Sequence, residues 1–297
     1  MAVSTSTGPR SSWLVGLRRR VASALVLIPV VIALAWFGGW IAFAGVVLVL
    51  LLGTWELRDM FAHRGWHPLV VLSLALSLVF FVAAMLPAYR VLLLEAGISA
   101  LVIGSFAWLM ITRPTIERTL VDWSLTLAIP FYLGWPLAFL LLLRGDTLGY
   151  ESRGFWWLWV LLLAIWANDT FALLVGHYLG RHLLAPHISP KKTWEGFVGG
   201  MVFAVIAVFV VITLANVVLN PALRLNVPWY SEILIGVLIV MAGTIGDLAE
   251  SMLKRGTGVK DSGSILPGHG GILDRIDSIL FAVFVVFFYA LALGQLH

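Results

Sequence analysis

The sequence predicts an all-α polytopic integral membrane protein with about nine transmembrane helices. Three observations carry that prediction. Only 11% of the 297 residues are charged while 61% are hydrophobic. Mean hydropathy is +1.01, and the apolar residues fall in runs long enough to cross a bilayer. Soluble domains carry roughly 25% charged residues, so 19 basic and 15 acidic side chains are too few to cover a water-facing surface. Disorder and fibrous repeats require low hydrophobicity or a strict short period, and neither is present. The absence of cysteine excludes disulfides, a thiol nucleophile and Cys-ligated metal. A net charge of +4 suits loops that meet anionic lipid heads. No basic run interleaved with aromatics marks a nucleic-acid module, so no nucleic-acid partner is expected.

A bilayer-crossing helix needs about 20 mostly apolar residues. Nine segments qualify, near 21–37, 40–57, 68–87, 91–111, 121–143, 156–179, 194–219, 231–252 and 276–295. The first two share one apolar run from Val21 to Trp55, too long for a single span, and Gly38-Gly39 is the natural turn within it. Pro130, Gly134 and Pro136 predict a kink or break in the fifth. Arg18, Arg19 and Arg20 ahead of an apolar run and Ala33-Leu34-Ala35 also have the form of a cleavable signal, but the run continues well past that triplet. Residues 1–20 read as a disordered cytoplasmic tail, 21–150 as lipid-facing scaffold helices and 151–297 as a catalytic membrane region.

Basic residues test the count. With the N-terminus cytoplasmic, one side carries Arg10, Arg18, Arg19, Arg20, Arg58, Arg64, Arg113, Arg118, Arg181, Lys191, Lys192, Lys254, Arg255, Lys260 and Arg275. The other carries only Arg90, Arg144, Arg153 and Arg224. A miscounted helix would mix the two sets.

Acids at a membrane edge are costly and want a partner or a task. Glu195, Asp247, Glu250, Asp261, Asp274 and Asp277 all fall near cytoplasmic helix ends of the C-terminal half, Asp169 sits deeper, and the N-terminal half shows nothing comparable. Asp247, Glu250 and Lys254 recur at i, i+3 and i+7, so they share a helical face with Ser251 beside them. Asp274 and Asp277 open the last segment. A hairpin of the last two helices would bring these carboxylates together, an all-oxygen donor set of the kind Mg²⁺ prefers. The helix dipole alone accounts for acids at a helix start and bases at its end. Asp247, near a helix C-terminus in apolar surroundings, opposes that dipole. Between the two helices, six of the sixteen residues from Gly256 to Gly271 are glycine, a backbone able to approach phosphate closely. The Walker-A spacing is absent. Upstream, Ser189-Pro190 reads as the N-cap and first residue of segment seven, with Lys191 and Lys192 in its first turn. The lysines fit an anion docked on that helix start, or equally the positive-inside rule. His177, His182 and His187 lack ligand spacing and read as interfacial.

Together these elements resemble the phosphatidate cytidylyltransferase (CDP-diacylglycerol synthase) family. The likeness rests on Ser251-Met-Leu-Lys254-Arg255, Lys260-Asp261, Gly263, Pro267, His269-Gly270-Gly271 and Asp274-Arg275-Ile-Asp277. It also includes Ser189-Pro-Lys-Lys-Thr193-Trp-Glu-Gly196, and Trp166-Ala-Asn168-Asp169-Thr, where the family more often has a small residue at the position of Asn168. The resemblance is specific over 165–280 and general over 1–160. It implies an inner-membrane enzyme of bacterial type, its site on the cytoplasmic face, that joins CTP and phosphatidate into CDP-diacylglycerol and pyrophosphate. Asp247 and Asp274 would hold Mg²⁺, with Asp277 or Asp261 assisting or binding a second cation. Lys191, Lys192, Lys254, Arg255 and Lys260 would hold the phosphates, with Ser189, Thr193, Ser251 and Arg275 nearby and His269 donating to a phosphate oxygen. A homodimer is left open.

Two other classes fit less well. A cation-coupled transporter would place its acids at the midplane between inverted repeats, whereas these gather at one face and no repeat is visible. A lipid-alcohol phosphotransferase would carry a D-G-x2-A-R…D-x3-D pattern, which is absent.

Overall fold

The computed structural model describes residues 25, 28–112, 118–263 and 270–296. The expected N-terminal tail, Arg113 and His269 lie outside them. Helix α1 (Ile28–Phe37) ends at the expected turn, where Gly38 and Gly39 adopt φ of +59° and +47°, a region L side chains avoid. A Cβ on Gly38 would also meet the Arg144 guanidinium at 2.9 Å. That guanidinium donates to the carbonyls of Ala35 and Trp36, so a buried cation satisfies the orphan C=O groups at the end of α1.

Helices α2 (Gly39–Ala62), α3 (Val70–Met85) and α4 (Arg90–Thr112) follow. The fifth span runs from Thr119 to Arg144 as α5 (Thr119–Ile129), a π turn (Pro130–Gly134) and α6 (Trp135–Arg144). Pro130 has no N–H for the α-helical ladder, and the chain absorbs the defect as a wide turn without parting. Gly134 lets Ser77 of α3 pack there, 2.4 Å from where a Cβ would stand. Then come α7 (Arg153–Leu179), a hairpin of β1 (Leu183–Ala185) and β2 (Ser189–Thr193), and helices α8 (Trp194–Val218), α9 (Trp229–Thr257) and α10 (Leu273–Ala292). Nine apolar helical segments thus occupy the nine expected positions among the described residues. Seven are long and apolar enough to cross a membrane. The 16 residues of α3 reach about 24 Å at ~1.5 Å per residue, short of a ~30 Å hydrocarbon core.

One expectation is corrected. Segment seven does not begin at Ser189-Pro190. Those residues open strand β2, paired antiparallel with β1, and the helix begins at Trp194. Thr193 is its N-cap, the hydroxyl accepting from the Gly196 N–H at 3.2 Å. Thr193 wins because it is followed directly by the apolar run it has to cap, whereas proline is tolerated on an edge strand. Lys191 and Lys192 therefore precede the helix instead of filling its first turn.

Two hydrophobic cores hold the bundle. One joins α7, α8, α9 and α10 around Trp157, Leu161, Val208, Ile239 and Val283. The other joins α2, α3 and the fifth span around Leu57, Phe81 and Leu133, and α10 enters it through Leu273 and Leu280. Between α7 and α8 the backbones meet closely: a Cβ on Gly196 would stand 2.7 Å from the Ala172 carbonyl, and one on Gly200 2.5 Å from Asn168 Oδ1. Gly200 thus makes room for the larger Asn168. Among the described residues, basic side chains from the two expected sets lie at different ends of the bundle. Arg64 Nε donates to the Gly256 carbonyl and Arg118 lies against Gly65 at one end. Arg144 holds α1 at the other, where Arg153 donates to Ala222 and Leu223.

Candidate active site

The charged end of the bundle holds a cavity of about 630 Å³ between α7, the β-hairpin, α8 and α9. Lys191, Lys192, Thr193, Asn168, Asp169, His177 and Asp247 line it beside Leu173, Leu184 and Phe197, so polar groups converge on an otherwise apolar wall. The hairpin aims Lys192 across the cavity, its Nζ 2.6 Å from Asp247 Oδ2. Ser251, one turn on, reaches Asp247 Oδ1 at 3.4 Å. Asn168 Nδ2 donates to Asp169 Oδ1 at 3.3 Å. Glu195 fixes the hairpin's root, accepting from the N–H groups of Arg181 and His182, while His182 Nδ1 lies 2.6 Å from Glu195 Oε1.

A second, buried network lies further along the same face of α9. Lys254 Nζ donates to Glu250 Oε2 at 2.8 Å and to Asp274 Oδ1 at 2.6 Å. Asp274 Oδ2 accepts from Gly271 N, Ser262 N and Ser262 Oγ. The Ser262 hydroxyl carries one hydrogen and also lies 3.1 Å from Glu56 Oε2, so the two carboxylates share it. Gly246 lets α9 touch α10, where a Cβ would stand 2.4 Å from the Asp277 carbonyl. Asp277 accepts from its neighbour Ser278 N and stands near enough to Asp247, Glu250 and Asp169 to feel their charges.

The expected hairpin of α9 and α10 is therefore present, and it engages its aspartates with lysines: Asp247 with Lys192, Asp274 with Lys254. Among the described residues no three Asp, Glu or His side chains are gathered at metal-ligand spacing. Ser189 opens β2, and Lys191 reaches the same cavity as Lys192. Arg255 turns away, its Nη1 3.5 Å from the Val259 carbonyl. Lys260 and Asp261 are exposed in the loop after α9, outside the cavity lining. Arg275 is exposed on α10 and acts electrostatically on Asp169.

Reading the sequence missed Glu56 and Tyr132. Glu56 of α2 is buried and accepts from Ser262 Oγ, Ile272 N and Leu273 N. Its signal was available: an acid directly after the 35-residue apolar run. The Tyr132 hydroxyl, on the π turn, is buried without a hydrogen-bond partner and faces the charges of Glu250, Asp277 and Asp247.

Residues 18–293 match the model of the cytidylyltransferase family. The chain belongs to that family. A Synechocystis sp. protein named phosphatidate cytidylyltransferase is 33% identical over 299 residues, covering 93% of this chain and 97% of the relative. One of the same name from Haemophilus influenzae is 33% identical, covering 92% and 98%. A Mycobacterium bovis relative, also so named, is 35% identical over 196 residues, and there the match spans only 62% of this chain and 60% of the relative. The family match reaches from the end of the expected tail to the last turn of α10, so it takes in both the cavity and the Lys254 network.

Proposed function

We propose that this chain transfers the cytidylyl group of CTP to phosphatidate, releasing pyrophosphate and leaving CDP-diacylglycerol in the bilayer. The observation that carries the reading is the pairing at the charged end of the bundle. Two lysines are paired one-to-one with two aspartates, Lys192 with Asp247 and Lys254 with Asp274, beside a cavity of about 630 Å³. The relatives' printed names point the same way.

In the reaction an oxygen of the lipid phosphate attacks the α-phosphorus of CTP, and the bond to the β-phosphate breaks. A phosphate monoester with a second pKa of about 6 is already ionised near neutral pH, so no general base is required. The difficulty is bringing anions together and neutralising the leaving pyrophosphate. Lys191 and Lys192, on a hairpin at the cavity rim, bind and orient the nucleotide phosphates. Lys254, Arg255, Lys260 and Arg275 contribute positive potential where the lipid phosphate arrives, and the acyl chains stay in the membrane.

Carboxylate oxygens are the donors Mg²⁺ prefers, and Asp169, Asp247 and Asp277 act on one another electrostatically, but paired with lysines as they are here the described side chains do not stand at metal-ligand spacing. Asp247, Asp274 and Asp277 would hold it, and Asp169 adds negative charge beside them. Bound there, Mg²⁺ would neutralise charge on the phosphates and the leaving group. To hold it, Asp247 and Asp274 would have to part from Lys192 and Lys254, which would leave both ammonium groups available to phosphate oxygens. By the positive-inside rule the site faces the cytoplasm.

The test supplies detergent-purified protein with radiolabelled CTP, phosphatidate and Mg²⁺. Lipid-extractable cytidine label and an equal yield of pyrophosphate are expected. No label under any divalent cation overturns the reading. Asp247→Asn should lower turnover at least ~100-fold, as loss of a charge-stabilising group does, and near-normal turnover excludes Asp247 as a ligand.

A further inference from the structure

Ser262, Gly263 and Gly271, described residues of the glycine-rich segment after α9, lie against a carboxylate from the other half of the protein. Glu56 Oε1 accepts from Ile272 N at 2.8 Å, and Oε2 accepts from Leu273 N at 3.0 Å and Ser262 Oγ at 3.1 Å. The same Ser262 hydroxyl lies 2.9 Å from Asp274 Oδ2. Helix α10 needs this. Its N-cap residue is Ile272, which has no side-chain acceptor, so the first N–H groups would be orphaned in a buried setting. Glu56 supplies the missing cap from α2. The glycines are shaped to it: a Cβ on Gly263 would stand 2.8 Å from Glu56 Oε1, and one on Gly271 2.5 Å from Oε2.

We propose that Glu56 is a positioning residue for cytidylyl transfer, fixing the start of α10 directly and the carboxylate of Asp274 through Ser262. This inference rests on the proposed activity. Two of its three partners are backbone N–H groups that only donate, so glutamine at 56 would point its own N–H₂ at a donor. The Asp274 carboxylate would lose its shared serine anchor, and α10 would fray at the turn that carries Asp274 and Asp277.

The experiment compares wild type, Glu56→Gln, Ser262→Ala and the double variant as full-length protein in detergent. Three readouts are taken: steady-state kinetics, amide hydrogen exchange over residues 270–274, and the rise in unfolding temperature on adding Mg²⁺ without substrate. Glu56→Gln should lower kcat about 10- to 100-fold, the usual cost of losing a partner that orients a ligand. KM for phosphatidate should stay within about twofold, since no lipid contact is removed. Exchange at 270–274 should quicken while α7 and α8 keep wild-type protection, and the Mg²⁺-induced rise should shrink. Ser262→Ala should shift all three readouts in the same direction by less, and the double variant should be no worse than Glu56→Gln, because the two act through one linkage. Wild-type exchange and an undiminished Mg²⁺ response in Glu56→Gln overturn the proposal, as do multiplicative losses in the double variant. If Glu56→Gln does not fold, Ser262→Ala decides by the same readouts. A wild type inactive with CTP and phosphatidate overturns the proposed activity instead, a separate result.

Discussion

Replacing Lys254 by methionine should cost stability out of proportion to the single charge removed. The methionine stem fills nearly the same volume, so little apolar packing is lost. What goes is an ammonium bonded to two carboxylates, one of which, Glu250, is 0% exposed. Asp274 keeps the N–H groups of Gly271 and Ser262 and a share of the Ser262 hydroxyl. Glu250 would keep only Asp277, another carboxylate, beside it, with its Oε1 already lacking a hydrogen-bond donor and its Oε2 losing the Lys254 ammonium. Removing one member of a buried ion pair costs about 3–5 kcal/mol, or roughly two to nearly four decades in the folding equilibrium. The assay is unfolding in mixed micelles at rising SDS mole fraction, followed by tryptophan fluorescence. Because the penalty sits on Glu250, Lys254→Met combined with Glu250→Gln should recover more than half of it. A single variant within about 1 kcal/mol of wild type refutes the reasoning. So does a double variant less stable than the single.

Two further outcomes follow from the same contacts. Lys192→Ala removes a pair whose side chains are 25% and 32% exposed, so stability should change by under ~1 kcal/mol. KM for CTP should nonetheless rise at least ~tenfold; unchanged KM for both substrates counts against the anion site. Arg144→Met strips the α1 carbonyls of a buried donor and should cost at least ~2 kcal/mol in the same micelle titration. Its turnover per folded molecule should stay at the wild-type value, because Arg144 sits at the opposite end of the bundle; a large fall in that turnover breaks the separation of the two ends.

The spans, their number and the Gly38-Gly39 turn were readable because hydropathy and helix length are local properties. So was the shared face of Asp247, Glu250 and Lys254, since a 3.6-residue period fixes it. The hairpin at 183–193 was not, because Ser-Pro-Lys-Lys has equal local merit as a helix start, and only the pairing of Leu183 with Thr193 decides. Nor could periodicity say that Asp274 faces Lys254 or that Asp247 faces Lys192. The first depends on how α10 sits against α9, where Gly246 admits the Asp277 carbonyl, and the second on the β-hairpin that carries Lys192 over α9. Glu56 was passed over for a different reason. Its partners lie more than 200 residues away, and no spacing rule links an acid to backbone N–H groups at that range. The division into scaffold and catalytic halves rested on where the acids cluster, and Glu56 reaches across it.

The distance along the chain between Glu56 and its partners also sets a schedule for biogenesis. Ile272 leaves the ribosome 216 residues after Glu56, which at ~5–20 residues per second is a wait of roughly 10–40 s. During that interval α2 is in the membrane with an acid near its end and none of its three donors yet made. Arg58, which lies over the Trp55 ring at 5.1 Å, marks that end of α2 as interfacial, where water can hold the carboxylate meanwhile. The carboxylate gains its backbone donors only when Ile272 and Leu273 arrive, so the first turn of α10 can close on it only after α10 has been made. A chain stopped before α10 would expose an unpaired Glu56 at the membrane surface, a mark by which quality control could tell an unfinished enzyme from a finished one.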